Sequence, residues 1–283
     1  MSGIYLAAFF TTLAAVAIFG SLIYKLQLPA NHQLLSLAAL LVVPLQPLAF
    51  YWIRIPLDHW LVGQLSSSSI TYQWLTSLYA PLTEEPMKLV PLLLPMIRAD
   101  IRPANFARYA LAIGLGFAIG EMWFVAGRVA QMKAMEGLPF YQFGGYAVER
   151  LMTCIFHSAF ISVALWQWRR RFLWGIAGAM TLHWLGNLPL QLMAQNAGGL
   201  GRTFWMVIVQ LWLFGYCLAA ASLLAYFAFG QFALGRLLFG RSRCPGCNQG
   251  YDAPLFGLNF GPSRYERCPG CRKWHWIHKH DRD

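Results

Sequence analysis

The sequence predicts an all-α polytopic membrane protein of about seven transmembrane helices, followed by a small cysteine-rich domain. The 283 residues are 58% hydrophobic and only 12% charged, whereas soluble domains average about 45–50% and 25%. Apolar runs near the ~20 residues needed to span a bilayer recur at about 4–24, 33–53, 74–97, 106–128, 148–168, 172–194 and 204–229. Four of the six cysteines fall after the last run, in two Cys-Pro-Gly-Cys pairs.

The first run follows Met1–Gly3, which lacks basic residues, and it is long enough to span, so a retained helix is expected rather than a cleavable signal. Between the second and third runs, Leu57 to Thr76 holds Asp58, His59, Trp60 and Ser66–Ser69. It is too polar for a span and is expected as a loop or as an interfacial or re-entrant segment. The third run carries Pro81, Pro86, Pro91 and Pro95 together with Glu84, Glu85 and Lys88. An ionised side chain at the bilayer centre costs about 2.5–3.5 kcal/mol on insertion scales, so these three must face protein or trapped water. Glu84 and Lys88 stand i,i+4 in the order that favours an ion pair. Glu85 points about 100° away around the helix. The prolines remove backbone donors, which is tolerated where the backbone lines a cavity.

In the fourth run Gly116 and Gly120 make a small-xxx-small face for close helix packing, bringing Phe117 and Glu121 near a neighbouring helix. The fifth run carries His157, and the sixth has His183 and Asn187 on one face. The chain holds 22 Lys plus Arg against 11 Asp plus Glu, but the excess lies mostly in loops and tail. Arg98, Arg102 and Arg108 follow the third run, Arg169, Arg170 and Arg171 the fifth, and nine Lys or Arg the seventh. The opposite loops hold Arg54, Arg128, Lys133, Arg150 and Arg202. This bias places the N-terminus outside and the C-terminus in the cytoplasm.

Carboxylates and imidazoles at mid-depth on four helices are each expensive, and convergence on one polar chamber explains them together. A carboxylate can take a proton from water, and an amide or imidazole can stabilise the oxyanion of an attacked carbonyl. The same side chains are ligand types of a catalytic zinc. Asn187 beside His183 suits a donor role, and the proline-broken third run offers an unwound wall for an extended peptide. Both favour hydrolysis over ion transport.

Glu84-Glu85-x-x-Lys88, Phe117-x-x-x-Glu121, His157 and His183-x-x-x-Asn187 resemble the four ordered motifs of the PrsW family of intramembrane proteases. That family is itself similar to the CAAX prenyl endopeptidases and the bacteriocin-processing enzymes. The resemblance covers roughly residues 70–195. It implies an intramembrane endopeptidase in which Glu84 activates water, assisted by Glu121 and His157, while His183 and Asn187 hold the oxyanion. Lys88 holds the pair Glu84 and Glu85. Lys88 and Glu121 both resemble the PrsW branch, where prenyl enzymes have Arg and His. The family is called metalloproteases while its prenyl relatives look metal-independent, so a metal at the active site stays open. The implied substrate is a membrane-anchored regulator such as an anti-sigma factor.

In the tail, Cys244-Pro-Gly-Cys247 and Cys268-Pro-Gly-Cys271 lie 20 residues apart, the layout of a zinc ribbon with four thiolate ligands. Each Pro-Gly makes a knuckle turn, and a cytoplasmic tail keeps thiols reduced. So small a module depends on its metal to fold. The domains expected are a transmembrane protease domain at 1–230, a basic linker at 231–243 and a zinc ribbon at 244–283. His275, His278 and His280 are candidate extra ligands. A membrane protein substrate, membrane lipids and a cytosolic protein partner for the ribbon are the expected partners; nucleic acid is not. Retained first helix and short loops suit a bacterial inner membrane. A proton-coupled transporter, a non-catalytic scaffold and a degenerate protease kept as a binding protein are the alternatives.

Overall fold

A computed structural model describes residues 2–25, 30–254 and 256–278, with backbone only for Lys25 and residues 231–238. The chain divides into two units, Met1–Ala221 and Ser222–Asp283.

The first unit is helical. Helix α1 (Gly3–Lys25) precedes α2 (His32–Val42), whose first turn is capped by Asn31 Oδ1 accepting from the amides of Gln33 and Leu34 at 2.9 and 3.3 Å. The chain continues through α3 (Leu45–Ala49), a π-helical turn at Phe50–Arg54 and α4 (Ile55–Gln64), so that His32–Gln64 forms one apolar stretch of 33 residues. The segment from Leu57, expected as a loop or interfacial stretch, is thus helical to Gln64 and again in α5 (Ile70–Ser77). The reason is tertiary. Asp58 accepts from the hydroxyls of Tyr72 and Tyr79 at 2.7 and 3.3 Å, satisfying the charge inside protein, and Ser69 caps α5 by accepting from Tyr72 N at 3.1 Å.

The third apolar run is broken as its prolines require. Helix α6 (Tyr79–Met87) gives way to a 3-10 turn at Val90–Leu93, and α7 (Pro95–Asp100) starts on a proline, where no amide donor is needed. Helix α8 (Phe106–Ala130) is the buried axis of the unit, packed by α1, α2 and α9 (Gly144–Trp166). Its glycines permit this: a Cβ on Gly116 would run into the Ala39 carbonyl and one on Gly120 into the Val43 carbonyl, both on the α2 side. Helix α10 (Phe172–Ala194) packs on α9 and α6. Helix α11 (Arg202–Phe239) has its helical course broken at Gly230, whose φ is 73°.

Five helical stretches among the described residues are long and apolar enough to cross a membrane: Gly3–Tyr24, His32–Gln64, Phe106–Ala130, Phe140–Trp166 and Arg202–Gly230. Leu13, Leu40, Leu211 and Phe214 point outward along them, uncovered by protein. The chain is an integral membrane protein. Of the seven runs expected, the third is broken, and the sixth is the continuous α10, made less apolar by His183, Asn187 and Gln191.

In the second unit β1 (Arg241–Arg243) pairs with β2 (Gly250–Asp252), and β3 (Gly257–Phe260), β4 (Ser263–Arg267) and β5 (Trp274–His278) form an antiparallel sheet in that order. Residues 231–243, expected as a linker, are helical to Phe239 and enter β1 at Arg241. One face of the three-stranded sheet buries Arg264, Glu266 and Ile277, with Arg264 Nε 2.7 Å from Glu266 Oε2.

Candidate active site

Four helices deliver the polar side chains that the sequence marks. Helix α6 carries Glu84 and Glu85, α8 carries Glu121, α9 carries His157, and α10 carries His183 and Asn187. Glu84, Glu121, His157, His183 and Asn187 line one cavity of about 430 Å³. Glu85 and Lys88 lie behind it, 1% and 0% exposed.

The pairing within the Glu-Glu-x-x-Lys motif differs from expectation. Lys88 Nζ donates to Glu85 Oε1 at 2.5 Å, an i,i+3 contact, and no Lys88 bond to Glu84 is present among the described residues. The cause is local and tertiary together. Glu84 is taken by Arg54, whose guanidinium also donates to Thr83 Oγ1 at 2.8 Å. The Lys88 ammonium lies 5.0 Å from the Phe117 ring centroid and 5.7 Å from that of Phe160, a pocket that supports a buried cation on aromatic faces. Lys88 therefore holds Glu85 alone.

Glu85 Oε1 also accepts from His183 Nδ1 at 2.6 Å. In a neutral His183 this leaves Nε2 with its lone pair, 3.9 Å from Glu84 Oε2. Phe160 stacks on the His183 ring at a centroid distance of 5.4 Å. Tyr216 from α11 donates to the Leu182 carbonyl at 2.5 Å, fixing that side of α10. Asn187, one turn after His183, faces the same cavity.

On the opposite wall Glu121 Oε2 lies 2.6 Å from His157 Nε2, and Glu121 Oε1 lies 2.9 Å from Arg150 Nη1. Arg150 also clasps Glu149, with its Nε 3.0 Å from Glu149 Oε2. Phe117 stands edge-on to the His157 ring at 5.0 Å, so the Phe117-x-x-x-Glu121 pair brackets His157. The rings of His157 and His183 are 6.0 Å apart.

Arg54 and Arg150, expected from the sequence as loop charges that set orientation, lie elsewhere. They are part of the cavity, 13% and 8% exposed at the side chain, Arg54 the counter-ion of Glu84 and Arg150 that of Glu121 and Glu149. One signal in the sequence bore on Arg150, which precedes His157 by seven residues and so shares its helix face. Arg54 ends a π-helical turn, a distortion frequent at functional sites that the spacing does not show.

Glu84, Glu121 and His157 each offer a ligand atom within 4.8 Å of the others. Two carboxylates and one imidazole are ligands of the kind that hold a catalytic divalent cation while leaving a position open. The donor set fits a metal.

In the tail, Cys244, Cys247, Cys268 and Cys271 form a second such cluster, their Sγ atoms all within 4.8 Å. Cys244 and Cys271 are 3.7 Å apart, as are Cys247 and Cys268. Four thiolates at about 2.3 Å from one tetrahedral ion stand about 3.8 Å apart, whereas a disulfide requires about 2.05 Å. The cluster fits a zinc ribbon. The amide of Gln249 and the neighbouring Cys244 lower the exposed Cys247 thiol to about 7, while burial pushes Cys268 up to about 12. His275 Nε2 lies 3.4 Å from Cys271 Sγ, and His278 Nδ1 is 2.8 Å from Ser263 Oγ. His280 lies outside the described residues.

No curated protein and no solved structure matches the chain significantly. A family model, that of the PrsW family intramembrane metalloproteases, matches residues 4–216 and so takes in every residue that lines the cavity. The chain belongs to the PrsW family of intramembrane metalloproteases.

Proposed function

We propose that this protein is an endopeptidase that hydrolyses a peptide bond of a membrane-anchored protein, with Glu84 as the base for the attacking water. The observation that supports this most is the meeting of Glu84, Glu121 and His157 within 4.8 Å inside one cavity. Glu84 takes one proton from water as its oxygen attacks the scissile carbonyl, and returns it to the leaving amine as the C–N bond breaks. Arg54 aims Glu84, as Arg150 aims Glu121, and the hydrogen bond that His157 Nε2 donates to Glu121 orients the imidazole. Asn187 can donate to the carbonyl oxygen as negative charge develops. His183 can do so only when it carries both protons, because its Nδ1–H is already given to Glu85 and Nε2 faces the cavity. Glu85 and Lys88, behind the wall, serve as its anchor.

A metal held by Glu121 and His157, with Glu84 beside them, would polarise the carbonyl and acidify the water, and would leave Glu84 as base only while the ion does not occupy its free oxygen. The tail we read as a zinc ribbon on the cytoplasmic side of a bacterial inner membrane, available to a cytosolic protein. A Glu84→Gln protein that unfolds at the wild-type temperature should lose cleavage of a membrane-anchored substrate by about 10³-fold or more, in line with the loss of a catalytic proton acceptor. Undiminished cleavage would remove Glu84 from the mechanism.

A further inference from the structure

Away from the catalytic cavity, the segment Ile101–Phe106, running from the end of α7 to the first residue of α8, and the segment Leu165–Arg170, at the end of α9, line an open cavity of about 170 Å³. Arg102, Arg169 and Arg170 line it, with Gln167, Trp166 and Trp168 beside them. No carboxylate lines it, and none pairs with these three arginines among the described residues. Asp100, next in the chain, is committed elsewhere, accepting from the Tyr109 hydroxyl at 2.6 Å and from Asn31 N at 3.2 Å. Arg169 Nη2 donates to the Ile101 carbonyl at 3.1 Å, which joins the two segments and fixes one guanidinium at the cavity.

Basic residues that set membrane orientation need only lie on the right side of the bilayer. Nothing in that role requires three from two separate segments to meet at one hollow that no carboxylate lines. We propose that the cavity binds a phosphate group, that of an anionic membrane phospholipid. Guanidinium forks match phosphate oxygens in pairs. At about 30 Å³ per water, the volume holds roughly five or six waters, room for a phosphodiester head. Trp166, 55% exposed, and Trp168 supply the aromatic residues that favour the headgroup level of a bilayer. Phe106 and Leu165 give the cavity an apolar floor. Basic pockets between membrane helices bind lipid head groups by this chemistry.

The test uses the full chain in detergent, with thermal unfolding and native mass spectrometry read against three probes: phosphatidylglycerol, phosphatidylcholine and inorganic phosphate. Phosphatidylglycerol should raise the unfolding temperature and remain bound in the gas phase, while phosphatidylcholine should do neither. Arg102→Gln with Arg170→Gln should weaken the apparent affinity by about tenfold or more without changing the unliganded unfolding temperature, and Arg102→Lys with Arg170→Lys should keep part of it. Arg169 is left intact because it also ties Ile101. A Gln variant that responds to phosphatidylglycerol as the wild type does overturns the proposal, as does an equal response to phosphatidylcholine. A shift with millimolar inorganic phosphate that equals the lipid's, and is lost in the Gln variant, supports a phosphate site but assigns it to a soluble anion.

Discussion

Replacing Lys88 by Met tests whether the charges behind the cavity form one coupled unit. Lys88 and Glu85 are 0% and 1% exposed at the side chain and 2.5 Å apart. Removing the ammonium leaves a buried carboxylate with His183 as its remaining partner, and breaking a buried pair in this way costs about 3–5 kcal/mol. Glu85→Gln should cost less, roughly 2–3 kcal/mol. The amide can still accept from His183, and the stranded ammonium keeps the faces of Phe117 and Phe160, each contributing about 0.5–2 kcal/mol. With both changes no unpaired charge is left behind. The double variant should therefore be more stable than Lys88→Met alone, with a coupling energy of at least about 2 kcal/mol. The assay is unfolding of the four proteins in lipid nanodiscs. A Lys88→Met protein within about 0.5 kcal/mol of wild type, or strictly additive single changes, would refute the coupling.

Two further outcomes follow from the packing and from the tail. Gly120→Ala should destabilise by about 1–3 kcal/mol, because its Cβ meets the Val43 backbone carbonyl, which cannot move without parting α2 from α8. Gly127→Ala on the same helix meets nothing within 4 Å and should be neutral or stabilising by up to about 1 kcal/mol; equal effects at the two sites would contradict the close packing. For the ribbon, metal binding requires four thiolates, so protons compete with the ion. With Cys247 near 7 and Cys268 near 12, zinc uptake at neutral pH must release protons, and affinity must fall as pH falls. Zinc release to a chromophoric chelator should therefore steepen on acidification below about pH 7, and a release rate flat from pH 8 to 5 would be incompatible with thiolate ligation.

The order of motifs along the chain was readable because each ionisable group at membrane depth is an expense that calls for a partner. The cavity assembles Glu84, Glu121, His157 and His183 as that expense implies. What could not be read was which charge serves which. Spacing alone offers Lys88 to Glu84 at i,i+4 and to Glu85 at i,i+3, and the choice is made by Arg54, brought from a helix 30 residues earlier. Arg54 and Arg150 look like orientation signals because arginine near the end of an apolar run ordinarily is one. Only the tertiary structure turns them inward. The polar residues near Asp58 left loop and interfacial segment both open, since their partners Tyr72 and Tyr79 lie beyond the serine turn. The two cysteine pairs were legible because the chemistry of one ion fixes both the spacing and the turn.

Whether the membrane site holds an ion turns on the same two arginines. Glu84 and Glu121 each already have a guanidinium, so an incoming dication gains less from their charge than it would from bare carboxylates. In return, the guanidiniums fix both carboxylates where His157 can join them, as outer partners do for ligands in metal sites. The family's description and the donor set together lead to an expectation of two metal equivalents per full chain. Elemental analysis of a Cys244→Ser, Cys268→Ser protein should find about one remaining, and adding His157→Ala should remove it. If the double Ser variant retains none at saturating zinc, Glu84 and Glu121 are served by Arg54 and Arg150 alone, and the hydrolysis runs on the glutamate without an ion. If it retains one that survives His157→Ala, His157 is not among its ligands.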